Sequence, residues 1–347
     1  LAAKEKYGNL EFLDFSANIN PLGPPPGVFE AIRDNIPSII HYPEPEGKQF
    51  KLHLSKRLGV AEEHLILGNG AVELIYLLAH TLAPQTALIP SPTFSEYTSA
   101  LKSRKTACRL LYTSAAEDFR LDPASLDLKG ADILFICNPN NPTGYLLPES
   151  DFVQILAKAE QENTFLVVDE SFMDFVEVNK QWRASDYLKR SERLFVIYSL
   201  TKFYAIPGLR LGCGIGNPAL IRQIKARKDP WNVNSLALAA GTAALEDTGF
   251  EQSSRSLIKR EREFLAFELD KLPGLKPFPA VANFMLVQNL GQVSGLELVD
   301  RLGSLGILIR DCSTFPGLNG DFFRIAVKDR ESNTGLIDAL TKVLYPR

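Results

Sequence analysis

Lys202, Asp169 and Arg210 have the types and settings for amine–carbonyl chemistry. Lys202 lies just past Leu194-Phe-Val-Ile-Tyr198, an apolar, β-branched run that reads as a buried strand. A lysine at a strand exit is ordinarily a solvated loop residue. Lys202 differs because it sits between that strand and an apolar loop, with Ser199 before it and Arg210 after it. A lysine held near another cation and away from water has a lowered pKa and forms a Schiff base with an aldehyde. Pyridoxal phosphate (PLP) is such an aldehyde, and its phosphate would find partners in Arg210 and Ser199.

Asp169 closes another apolar strand, Thr164-Phe-Leu-Val-Val168. An unpaired carboxylate is costly to bury there, so a cationic partner is expected. A protonated pyridine nitrogen would serve and would keep the ring an electron sink. Gly68-Asn69-Gly70 separates a short strand from an apolar helix. Free amides at a helix N-terminus bind anions, so this turn reads as a phosphate cradle, although Gly-Asn-Gly is also an ordinary turn. Phe94 follows the strand beginning at Ala87 and is placed to stack on a flat ring; a lone Phe is more often core. Asn141 lies in Asn138-Pro-Asn-Asn-Pro-Thr-Gly144, directly after the strand Ala131–Cys137.

Strands alternating with helices, at 48–58, 71–79 and 149–163 among others, predict an α/β fold with a mostly parallel sheet covered by helices. Ligands in such sheets sit beyond the carboxyl ends of the strands. Gly68–Gly70, Phe94, Asn141, Asp169 and Lys202 all fall at predicted strand ends, which makes one site from five loops. Residues 1–45, rich in Pro and Asn, read as an extended arm with one short helix near Val28–Asn35. A large domain is expected over 46–245 and a smaller α+β domain over 246–347. A long helical stretch from Ser235 to Leu272 is broken near Thr248-Gly249. Strands at 283–287, 306–310 and 322–327 follow, with a last helix at 331–344. Arg310 and Arg324 stand on two of these strands. They read either as surface ion pairs or as an anion clamp facing the interdomain cleft.

Composition excludes several classes. The 38 basic and 41 acidic residues balance, so no electrostatic case exists for nucleic acid or an anionic membrane. No apolar run approaches the length of a bilayer span. Residues 1–7 lack a signal-peptide core and an initiating Met, so a trimmed start is expected. Cys108, Cys137, Cys213 and Cys312 form no Cys-x-x-Cys pair, which predicts reduced thiols and a cytoplasmic location. His41, His53, His64 and His80 show no metal-ligand spacing, so no metal is expected. Gly212-x-Gly214-x-Gly216 invites a dinucleotide-binding oxidoreductase reading, but its spacing is wrong and Pro218 follows at once.

The ordered set Gly-Asn-Gly, aromatic, Asn-Pro-Thr-Gly, Asp, Ser-x-x-Lys, Arg and late Arg resembles fold-type I PLP enzymes of the aspartate aminotransferase superfamily, over essentially the whole chain. The resemblance implies a large domain with a mostly parallel seven-stranded sheet, a smaller α+β domain and an N-terminal arm. It implies that Lys202 carries PLP as a Schiff base, that Asp169 pairs with the pyridine nitrogen and that Asn141 bonds the phenolic oxygen. Phe94 would stack on the ring, while Gly68, Asn69, Gly70, Ser199 and Arg210 hold the phosphate. Tyr42 is similar to the tyrosine that reaches the neighbouring subunit's cofactor, which implies a homodimer. Arg324 matches the substrate-anion arginine.

Two branches compete within the superfamily. Histidinol-phosphate aminotransferases are near relatives. Threonine-phosphate decarboxylases of cobalamin biosynthesis are the closer likeness, through Asp14-Phe-Ser-Ala-Asn-Ile-Asn-Pro-Leu-Gly23, Ser199–Gly212, Pro230–Asn234 and Ile307–Arg310 with Phe315–Leu318. Phe172 departs from the tyrosine usual in the aminotransferases at that place and agrees with the decarboxylases. This branch implies loss of CO2 from L-threonine O-3-phosphate, with Asn18, Asn20, Arg310 and Arg324 holding the two substrate anions. Which arginine takes which anion stays open.

Overall fold

The structure, a computed structural model, describes residues 2–345. Its main layer is a seven-stranded sheet built from β1 (Leu65–Asn69), β2 (Thr86–Ser91), β3 (Ala107–Tyr112), β4 (Ile133–Cys137), β5 (Phe165–Asp169), β6 (Leu194–Ser199) and β7 (Leu211–Gly216). The spatial order is β1-β7-β6-β5-β4-β2-β3, and only β7 runs antiparallel to its neighbours. The central strands β4, β5 and β6 are buried at every position, because both faces are covered. Alternate residues serve two cores. Leu134, Val168 and Val196 face one, while Phe135, Val167 and Ile197 face the other with the helix α1 (Ala71–Leu82).

The glycine triplet of β7 has a packing cause. A Cβ on Gly212 would lie 2.6 Å from the Ala71 amide, and one on Gly214 would lie 2.3 Å from the Phe195 ring. These glycines let an antiparallel strand slide under α1. They serve packing and not a dinucleotide cradle.

A second, antiparallel sheet holds β8 (Leu275–Pro277), β9 (Phe284–Asn289), β10 (Arg310–Asp311) and β11 (Phe322–Ala326), in the order β10-β11-β9-β8. The expected strand over 306–310 is two pieces. Ile307–Leu308 pairs in parallel with Leu13–Asp14 of the arm, whereas Arg310–Asp311 pairs with β11. The long helical stretch breaks at Asp247, whose side chain accepts the Phe250 amide and caps α2 (Thr248–Asp270). α2 packs against β8 and the last helix, Arg330–Leu344. Among the described residues no helix is long and apolar enough to cross a membrane.

Candidate active site

Phe94, Asn141, Asp169 and Lys202 line one pocket at the carboxyl ends of the strands, together with Ala71 and Phe172. Lys202 Nζ reaches Ser199 Oγ at 3.4 Å and lies 5.5 Å from the Phe172 ring centroid. Burial pushes its amine below the ordinary lysine range and the nearby Arg210 adds to this; Asp169 and Cys137 pull it the other way. A lysine so placed is held toward its nucleophilic, neutral form.

Asp169 ends β5 and is 3% exposed. Its Oδ2 accepts the Tyr97 hydroxyl at 2.7 Å and its Oδ1 accepts the Ser171 amide at 2.9 Å. It forms no ion pair among the described residues. A buried carboxylate with donors but no cation suits a protonated ring nitrogen. Tyr97 was not singled out by sequence reasoning. It stacks on Phe135 at 5.1 Å, and Phe94 meets it edge-on at 5.6 Å. The available signal was its place three residues past Phe94, in the first turn of the helix Glu96–Ser103.

The cradle differs in detail from the expected one. Gly68 is buried because a Cβ there would strike Leu74 at 2.6 Å, so it serves packing. The Asn69 amide is held by Glu73 Oε2 at 2.6 Å, and the Gly70 amide by Gly68 O at 2.8 Å. Asn232 donates to the same Glu73 oxygen at 2.6 Å and fixes it there. The donors left for an anion are the first amides of α1, Ala71 and Val72, which have no intrahelical acceptor. Gly70 has φ +79°, and a Cβ on it would lie 2.5 Å from Arg210 Nη2. That close approach brings the Arg210 guanidinium to the helix start, with Ser199 buried nearby at the end of β6. Helix amides, guanidinium and hydroxyl together fit a phosphate.

Arg324 and Arg310 are cross-strand partners on β11 and β10. Arg324 is buried; it donates to Asn141 Oδ1 at 2.5 Å and to Ser16 O at 2.7 Å, and its Nε has no partner. Burial pushes it down to about 10. Arg310 is exposed and donates to Thr314 Oγ1 at 3.0 Å. Asn18 is buried with its Oδ1 unpartnered. Asn20 departs from expectation. Its Nδ2 donates to Phe203 O and Ser254 Oγ, each at 2.8 Å, and its Oδ1 accepts the Leu22 amide. That side chain holds the lysine loop and is not free for a ligand. Tyr42 is 80% exposed and stacks on Trp231 at 4.6 Å, outside the pocket of its own chain.

A family model described as aminotransferase class I and II matches residues 11–340. The chain belongs to that family. PLP is the family's cofactor, and the donors, buried acid and desolvated lysine above fit it. The chain is 37% identical over 340 residues to the threonine-phosphate decarboxylase of Salmonella typhimurium, covering 96% of this chain and 92% of that one. Among solved structures, the L-threonine-O-3-phosphate decarboxylase of Porphyromonas gingivalis is similar with a TM-score of 0.87 and 27% identity, covering 96% of this chain and 99% of that one. The histidinol-phosphate aminotransferase of Clostridium acetobutylicum is similar with a TM-score of 0.89 and 33% identity, covering 95% and 98%.

Proposed function

We propose that this aminotransferase-family chain is a PLP-dependent carboxy-lyase. It converts L-threonine O-3-phosphate into (R)-1-amino-2-propanol O-2-phosphate and CO2, a step of cobalamin biosynthesis. The observation that carries this reading is the pair Arg310 and Arg324, directly opposite each other and neither in an ion pair among the described residues. Like charges opposite each other destabilise a sheet, and bound anions remove that cost. A phosphorylated amino acid brings two anions to one site, and the similarity to the Salmonella decarboxylase agrees with that substrate.

When bound, PLP would supply an electron sink for a bond broken at the substrate's Cα. The residues of this chain then have three tasks. Asp169 holds a proton on the pyridine nitrogen. The amides of Ala71 and Val72, with Ser199 and Arg210, anchor the cofactor phosphate; Phe94 and Asn141 fix the ring. Arg310 and Arg324, with Asn18, would bind the substrate's two anions and fix its orientation so that the carboxylate is the group lost. The Lys202 amine would hold the cofactor and, after CO2 leaves, would return a proton to Cα.

A homodimer completes this reading. Ile36, Ile39, Ile40 and Tyr42 are exposed around one surface, which suits an interface that sends Tyr42 toward the neighbouring site. Four free, separated thiols suit a cytoplasmic enzyme.

The second reading is a histidinol-phosphate aminotransferase, favoured by the similarity to the Clostridium enzyme. It uses one phosphate and removes the Cα proton. Purified protein with PLP is assayed with L-threonine O-3-phosphate and no keto acid. Stoichiometric CO2 and aminopropanol phosphate are expected. No CO2, but glutamate from histidinol phosphate and 2-oxoglutarate, would replace the decarboxylase by the aminotransferase.

A further inference from the structure

Beneath the Lys202 segment lies a cluster of buried charge that the proposed reaction leaves unused. Asp174 is its centre, 3% exposed. Its Oδ1 accepts Arg183 Nη2 at 2.6 Å and Arg57 Nη2 at 3.2 Å, and its Oδ2 accepts the Tyr198 hydroxyl. Arg183 also reaches Glu170 Oε2 at 3.3 Å, while the Ala184 amide donates to Glu170 Oε1 at 2.7 Å. Arg57 also pairs with Glu251, which takes Arg255 Nη2 at 3.1 Å. Arg57, Arg183 and Arg255 thus meet Glu170, Asp174 and Glu251, and burial pushes the Glu170 carboxyl up to about 7 against the pull of Arg183.

The outer members of this cluster are chain neighbours of the pocket residues. Glu170 follows Asp169, and Tyr198 precedes Ser199. Tyr204, two residues after Lys202, donates to Glu251 Oε1 at 3.3 Å. The Asn20 amide donates to Lys202 O at 3.1 Å, and its side chain bridges Phe203 O to Ser254. Glu251, Ser254 and Arg255 all belong to α2, the helix that packs on the arginine-bearing sheet's layer. The two halves of the site are therefore joined from below by directional bonds.

We propose that Asp174 is a positioning residue, which keeps Asp169 and the Ser199–Lys202 loop in fixed register with α2. The proposal rests on the reading of Lys202 and Asp169 as the cofactor's partners. Buried ion pairs add little net stability, but their geometry is specific. Two-sided clamping of one loop is a use that fits both facts.

The test compares Asp174→Asn, Tyr204→Phe, Glu251→Gln and the Tyr204→Phe/Glu251→Gln double variant with the unaltered protein. Two quantities are read beside thermal stability: the half-time of PLP retention, and the rate of Lys202 labelling by an amine reagent in cofactor-free protein. Asp174→Asn is expected to shorten retention about tenfold and to change the labelling rate. Tyr204→Phe is expected to shorten retention about threefold, Glu251→Gln further because it also loosens Arg57 and Arg255, and the double change no further than Glu251→Gln alone. Folded variants with unaltered retention and labelling, whatever their melting temperature, would overturn the positioning role. If Asp174→Asn does not fold, the Tyr204–Glu251 cycle decides by the same criterion. If the unaltered protein fails to hold PLP at Lys202, the cofactor reading itself falls instead.

Discussion

The two sides of the Lys202 segment are opposites in how their polar groups are satisfied. On the pocket side the needs of buried groups go unmet. Among the described residues Asp169 has no cation, Asn18 Oδ1 and Arg324 Nε have no partner, and Arg310 faces Arg324 without an acid between them. On the underside the Asp174 carboxylate has two arginines and a tyrosine, and each arginine there has at least one carboxylate. Buried polar groups are normally paired, so the unmet side is a surface formed for something the chain does not itself supply. The met side is the support that holds that surface still.

Substitutions can break this contrast from either side. The largest effect belongs to Lys202→Ala, which is expected to abolish CO2 release, because no other amine lines the pocket among the described residues. Asp169→Ala is expected to lower kcat about 10²–10³-fold, read by steady-state kinetics, since it removes the charge that steadies the ring nitrogen. Arg324→Lys is expected to raise KM for L-threonine O-3-phosphate about 10–100-fold with a smaller change in kcat, because a planar fork becomes a point charge.

Stability measurements sharpen the comparison. Asp174→Asn strands arginines in the interior and is expected to cost about 3–5 kcal/mol in denaturant unfolding. Lys202→Met acts in the opposite sense. Burial depresses the amine pKa below the ordinary lysine value of 10.5, so the charged amine penalises the folded, cofactor-free state. That penalty is full below the depressed folded pKa and disappears as pH rises to 10.5. The cofactor-free Lys202→Met protein is therefore expected to be more stable than the unaltered one in denaturant unfolding near neutral pH, with the difference fading at alkaline pH.

Legibility in the sequence follows the same division. Lys202, Asp169, Asn141 and Phe94 were readable because each follows an apolar run that ends in a turn, and strand ends in such sheets converge. The underside was not readable. Arg57 and Glu251 are distant in the chain and carry no local pattern, and either alone reads as a surface charge. Asn20 looked like a ligand because Asn-rich arms often line sites, yet its amide is turned under the loop to Phe203 and Ser254. At Asn69 the backbone amide is taken for a local reason, since Glu73, four residues on, accepts it. Tyr97 lay hidden in a helix, where a tyrosine ordinarily packs against core, and its hydroxyl is turned to Asp169 by burial of the ring on Phe135.

The most direct test of the account follows L-threonine O-3-phosphate, labelled with heavy carbon at the carboxylate, in deuterated buffer with PLP-loaded protein. The account predicts that the label leaves as CO2 and that one deuterium enters Cα in place of the lost carboxylate. Retention of the label in a keto acid, with the amino group passed to the cofactor, would contradict it.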